Sequence, residues 1–265
     1  MSVIKDYLNQ SRGIIETVEK QEAVINQVAD VFAKSILAKR MVHVFGSGHS
    51  RIMVEEMWPR YGSFPGFNPI VELSLTFHNL VVGANGQRQA MFLENVPNFA
   101  KQILRNFDLK EEDSALVISS SGTNIVPIEM AEIFQSKGVK VAALISKLHS
   151  DESTSKREDG KRLSDFADFI LDTGAPKGDA MVKIPNLETK VAPGSTVGGA
   201  LIVNCIKAKV AQLLTEAGHP PLVLSAANTI GAEKATALFQ AAYDEHGHRI
   251  AKMYAKNGIQ SYVSE

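Results

Sequence analysis

Cysteine is nearly absent from this 265-residue sequence: Cys205 stands alone, inside the apolar stretch ALIVNCIKAKV. That excludes a disulfide framework and any cysteine metal cluster, and it points to a cytoplasmic protein. Charge of one sign is missing too. Lysine plus arginine number 28 against 29 for aspartate plus glutamate, so no global field draws the chain to nucleic acid or to an anionic membrane, and any anion must be held locally. The N-terminus MSVIKDYLNQ lacks a basic-then-apolar leader, and no window reads as the roughly 18 apolar residues of a membrane span. No GxxxxGK[ST] pattern occurs, which argues against a nucleoside triphosphatase. His246 and His248 form the only close histidine pair, without an HExxH-type carboxylate pattern, so no metal site is expected. What is present is a hydrophobic fraction of 45%, enough for the core of one sizeable domain.

Apolar residues recur at intervals of three and four from about residue 3 to residue 39, predicting one long or broken amphipathic helix with a break near Ser11 and Gly13. Residues 1–39 are therefore read as a helical extension, 40–231 as the main domain, and 232–265 as a C-terminal helix packed on it. MVHVF, SALVIS and VKVAALIS read as strands buried on both faces. FADFILD and AMVKIP are candidates for further strands. Helical patterns over residues 50–60, 88–107 and 125–137 separate the strands, and others cover 195–217 and 232–254. This alternation predicts an α/β fold with a doubly wound, mainly parallel sheet. Residues 147–162 are charged and aperiodic, and are read as a solvated loop.

Two turns carry the functional signal. The first is GSGHS, Gly46 through Ser50 behind a strand and ahead of a helix, where small residues let backbone N–H groups approach an anion at the positive end of the helix. A dinucleotide fingerprint needs a third glycine where Arg51 stands, so a nicotinamide cofactor is discounted. The second is SSSGTN, in which Ser119, Ser120, Ser121, Thr123 and Asn124 offer hydroxyl and amide donors without any lysine or arginine. Two such turns in one parallel sheet, where ligands bind at strand C-terminal ends, make a sugar phosphate the natural candidate.

With GSGHSRIMVEEMWPRYG, SSSGTNIVPIEMA, SKLHS, GKRLSDFADFILD, GAPKGDAMV, VAPGSTVGGALIVN and HPPLVLSAAN together, the chain resembles the sugar isomerase (SIS) domain family, and within it the bacterial UPF0309 branch. The resemblance spans roughly residues 36–228. It implies a five-stranded parallel sheet in flavodoxin-like order flanked by helices, a homodimer or tetramer with sites near the interface, and a phosphosugar ligand without metal or organic cofactor. It assigns ligand binding to Ser47, Ser50, Ser119, Ser120, Ser121, Asn124, Ser195 and Thr196, and Gly48, His49 and Thr123 of the same turns are candidate contacts beside them. Asn124 departs from the Ser or Thr usual there, and SAANTIGAEKA departs from the glycine-acid-rich tail expected after SAN.

Moving a carbonyl between C1 and C2 needs a base and a hydroxyl-proton shuttle. Glu55 and Glu56, on the helix leaving the first turn, are candidate bases; adjacent helical residues point about 100° apart, so one of the two faces the ligand. Arg60, four residues beyond Glu56, would keep that carboxylate ionised. The His and Glu that phosphoheptose isomerases of the family carry on this helix are replaced here by Glu56 and Arg60. His78 and His149 are candidate shuttles, and Glu94 and Glu188 are further possible bases. Glu94, on a helical pattern with Phe92, Leu93 and Phe99, reads first as an exposed charge. The leading expectation is an isomerase of a hexose or amino-hexose 6-phosphate; the alternatives are a phosphosugar lyase or etherase and a non-catalytic sugar-phosphate sensor.

Overall fold

The computed structural model of the chain describes residues 2–76 and 86–254. Two helices open it, α1 (Val3–Glu19) and α2 (Glu22–Leu37), followed by β1 (Val42–Gly46), α3 (Arg51–Met57) and β2 (Phe67–Ile70). Next come α4 (Gln87–Leu93), α5 (Phe99–Ile103), β3 (Ser114–Ile118), α6 (Ile125–Ser136), β4 (Lys140–Ile145), α7 (Lys147–Asp151) and β5 (Phe169–Asp172). A short hairpin of β6 (Ala180–Val182) and β7 (Val191–Pro193) leads into α8 (Ser195–Glu216), α9 (Ala227–Ile230) and α10 (Ala232–Tyr254).

Five strands form one parallel sheet in the order β2-β1-β3-β4-β5. Alternate residues of each strand feed opposite faces, as the period-two geometry of a strand requires. Val42, Val44, Leu116, Ile118 and Leu144 pack with α2, α3 and α8 on one side. Phe45, Ala115, Val117, Val141 and Ala143 pack with α5 and α6 on the other. Both faces are covered, which is why the strands read as continuous apolar runs. β1 and β3 are neighbours whose connections leave in opposite directions, so the crevice beyond their C-terminal ends is the topological switch point of the sheet.

The structure revises several expected elements. The N-terminal break falls at Lys20 and Gln21, not near Ser11 and Gly13, because Gln21 leaves the helix to bind β5. Its Nε2 donates to the Asp172 carbonyl at 2.8 Å and its Oε1 accepts from the Asp172 N–H at 2.7 Å. β2 was not foreseen; it contains Pro69 and sits on the sheet edge, where a missing N–H is tolerated. The AMVKIP segment does not join the main sheet, since Ala180–Val182 pairs antiparallel with Val191–Pro193 instead. The helix expected over 88–107 is interrupted after Leu93, with Pro97 and a left-handed Asn98 in the break. The segment 147–162 holds α7 and is tied to the SSSGTN turn, with the Lys156 N–H donating to the Thr123 carbonyl at 3.0 Å and the Leu163 N–H to the Gly122 carbonyl at 2.9 Å.

Among the described helices α8 alone is long and apolar enough to cross a membrane by length and composition. Here its apolar face lies against the sheet, with Ile202, Val203, Ile206 and Val210 fully buried. Its first turns approach the end of β5 so closely that a Cβ at Gly198 would stand 1.8 Å from the Thr173 carbonyl oxygen. That contact seats the N-terminus of α8 over the switch-point crevice.

Candidate functional site

A cleft of about 460 Å³ opens at the C-terminal edge of the sheet, walled by both anticipated turns, by α4, by the β6–β7 hairpin and by the start of α8. Ser47, Gly48, His49, Ser50, Ser119, Ser120, Ser121, Asn124, His149, Ser195 and Thr196 all line it. Both turns and the closing turn named from the sequence therefore meet at one cleft. Gly46 makes the first turn possible: a Cβ there would meet the Ser50 carbonyl oxygen at 2.8 Å, so only glycine lets the chain double back beneath the cleft.

The second turn is held by its own hydroxyls. Ser119 Oγ accepts from the Gly122 N–H at 3.2 Å, and Ser121 Oγ accepts from the Thr123 N–H at 3.3 Å and from Thr123 Oγ1 at 2.9 Å. Thr123 is thus buried and spent on Ser121, outside the cleft lining, and its expected ligand contact is corrected to a supporting one. Ser120 is the opposite case. Its Oγ is buried with no hydrogen-bond partner among the described residues while the residue lines the cleft. An unmade hydrogen bond of this kind is expensive unless something else supplies it.

Glu94 joins the two turns. Its Oε2 accepts from Ser47 Oγ at 2.6 Å and its Oε1 from Asn124 Nδ2 at 2.7 Å, while its carbonyl accepts from the Val126 N–H at 2.9 Å. The reading of Glu94 as an exposed charge is therefore corrected: it is half-buried at the end of α4, and it lines the cleft. Burial pushes its carboxyl above the ordinary value, opposed by the Ser47 hydrogen bond and by the charge of Lys156. Asn124 stands at the N-cap of α6 without a side-chain capping bond and lines the cleft, its amide donating to Glu94.

Asp179 is the second cleft carboxylate, and sequence reasoning missed it. Sitting at φ +67 beside Gly178, it caps the start of α8, with Oδ1 accepting from the Gly194 and Ser195 N–H groups at 3.1 and 2.7 Å and Oδ2 from Ser195 Oγ at 2.7 Å. The available signal was the Gly-Asp turn in GAPKGDAMV ahead of PGST. His149 follows β4 as anticipated, and its Nδ1 accepts from the Gly178 N–H at 3.2 Å. A neutral imidazole with Nδ1 so engaged carries its proton on Nε2.

The other expected bases lie outside this cleft. Glu56 faces α8: Oε1 accepts from Asn204 Nδ2 at 2.9 Å and Oε2 from Arg60 Nη1 at 2.6 Å, and the buried Lys207 donates to its carbonyl at 2.7 Å. Burial would raise its carboxyl, but these hydrogen bonds and the charges of Lys207 and Arg60 hold it below the ordinary value. Glu55 is exposed and 3.6 Å from Arg51. Glu188 is exposed on the β6–β7 connection, its carbonyl accepting from Lys183 Nζ. His78 lies outside the described residues.

Fold and cleft together define a doubly wound protein with a hydroxyl-lined cleft at its switch point. A model of the SIS domain matches residues 6–146, more than half of the chain. A UPF0309 protein of Listeria monocytogenes serotype 4b is 34% identical over 249 residues, covering 94% of this chain and 97% of its own length. A UPF0309 protein of Shouchella clausii is 31% identical over 254 residues, covering 96% and 100%. Among solved structures, a phosphoheptose isomerase from Francisella tularensis superposes with a TM-score of 0.51 at 20% identity, covering 79% of this chain and 96% of that one. The chain belongs to the SIS domain family and, within it, to the UPF0309 proteins.

Proposed function

We propose that the protein is a phosphosugar isomerase, interconverting the aldose and ketose forms of a hexose or amino-hexose 6-phosphate. One observation carries this reading: two hydroxyl-rich strand-to-helix turns share a cleft with a carboxylate of raised pKa and a histidine of fixed tautomer. The hydroxyls of Ser119, Ser120 and Ser121 hold the phosphate, with Ser50 and Thr196 on the sugar. Glu94 takes the proton from C2 of the aldose and returns it to C1 of the enediol, while His149 Nε2 moves the hydroxyl proton between O1 and O2. A carboxylate whose pKa burial raises suits reversible proton transfer better than one lowered by hydrogen bonds and neighbouring cations, which favours Glu94 over Glu56. The SIS family membership supports a phosphosugar ligand, and the phosphoheptose isomerase neighbour supports the scaffold.

A second reading, binding without turnover, is favoured by the fact that both Glu94 oxygens already accept hydrogen bonds, as they would in a strut. A lyase pairing Glu56 with Glu188 gains no support from this cleft. The exposed apolar residues Ile4, Leu8 and Ile15 of α1 favour a homodimer or tetramer. Proton NMR in deuterated water, with aldose and ketose 6-phosphates, decides between the first two readings. Deuterium entering C1 or C2 during interconversion supports the isomerase; ligand binding without deuterium uptake overturns it in favour of the sensor.

A further inference from the structure

The charge lining the cleft does not suit a ligand that is only anionic. Glu94 and Asp179 both face it, His49 and His149 are the remaining titratable groups in its lining, and no lysine or arginine side chain is among the described residues that line it. Lys156, whose charge reaches Glu94, lines a separate hollow with Arg157 and Glu129. The hydrogen-bond donors to the two carboxylates are neutral: Ser47 and Asn124 for Glu94, and Ser195 with two backbone N–H groups for Asp179. Neutral donors stabilise a carboxylate without cancelling its charge, and in a partly enclosed cleft that charge repels a phosphate dianion entering beside it.

We propose that the cleft selects a phosphosugar carrying an ammonium group, an amino sugar phosphate, over the same sugar with a hydroxyl or an acetamide in that place. The inference rests on the phosphosugar reading of this site and narrows its substrate class. The phosphate sits on the serine turn at the start of α6, where all the donors are neutral. The ammonium lies toward Glu94 and Asp179, which turn from a repulsive feature into its recognition site. A hydroxyl in place of the amine leaves both negative charges uncompensated, and an acetamide adds bulk without charge.

The test is calorimetric titration of the intact protein at pH 6.5 and low salt with glucosamine 6-phosphate, glucose 6-phosphate and N-acetylglucosamine 6-phosphate. The expected result is binding of the amine at least about tenfold tighter than either neutral analogue, with the preference shrinking as salt is added. Asp179→Asn and Glu94→Gln, each nearly isosteric, should weaken the amine ligand and leave the hydroxyl ligand unchanged or tighter. A merely structural role for either carboxylate would weaken both ligands alike. Equal or tighter binding of glucose 6-phosphate by the unmodified protein overturns the inference while leaving the phosphosugar reading in place. Binding of none of the three overturns both.

Discussion

Replacing Glu94 by glutamine separates its chemistry from its architecture. The amide keeps an oxygen to accept from Asn124 Nδ2 and gains an N–H to offer Ser47 Oγ, so the bridge between the two turns survives in outline. Because burial raises the Glu94 carboxyl in the folded protein, its stabilising contribution is fullest below the unfolded-state pKa and is lost as pH rises through the folded one. At neutral pH the charged form is therefore no asset to folding, and Glu94→Gln should leave stability within about 1 kcal/mol of the parent. Loss of the proton carrier, in contrast, should slow interconversion by about 10² to 10⁴, or roughly 3–5 kcal/mol of barrier. Glu94→Ala leaves the Ser47 and Asn124 donors facing nothing and should destabilise by about 1–3 kcal/mol as well. The assay pairs thermal unfolding with the rate of deuterium uptake in the same preparation. A glutamine variant that turns over within a factor of three of the parent would refute the argument, leaving Glu94 as a strut.

Ser120→Ala removes a hydroxyl that has no partner among the described residues; stability should hold within about 0.5 kcal/mol, while affinity for a sugar phosphate falls about tenfold, read by calorimetry. Unchanged affinity would remove Ser120 from the phosphate site. Gly198→Ala drives a methyl against the Thr173 carbonyl and should destabilise by about 3 kcal/mol or more in chemical denaturation; a variant of parental stability would contradict the close seating of α8. Asp113, buried just ahead of β3, is pushed up by burial but held down to about 2 by the His43 ring 3.6 Å away, by hydrogen bonds from Arg40 and by the Lys110 N–H. Its contribution, about 2 kcal/mol, is full above the ordinary carboxylate value and lost as pH falls toward 2; the acid limb of stability against pH should flatten in Asp113→Asn. Ile4→Glu combined with Leu8→Glu places charge on the exposed stripe of α1 and should yield monomer by light scattering, whereas an unchanged mass would move the interface elsewhere.

The sheet and the two turns that line the cleft were legible because their signals are local. β1, β3 and β4 are short apolar runs, and GSGHS and SSSGTN follow two of them directly. Which carboxylates reach the cleft was not legible, because that is decided by contacts distant in sequence. Glu56 and Glu55 sit on the helix that leaves the first turn, but α8 packs on that helix and Asn204 draws Glu56 away from the cleft. Glu94 reaches the cleft because the chain stops being helical before Pro97 and because Asn124, 30 residues on, supplies the amide that holds it. Asp179 depends on a left-handed backbone in a hairpin that pairs across eight intervening residues. β2 was hidden by Pro69, which a central strand would not accept but an edge strand does.

A crystal structure with a bound hexose 6-phosphate or amino-hexose 6-phosphate tests the central claim most directly. The account predicts phosphate oxygens within hydrogen-bond reach of Ser120 and Ser121, with C1 and C2 of the sugar between Glu94 and His149. A phosphate bound elsewhere, or a sugar whose C1 and C2 point away from Glu94, would contradict it.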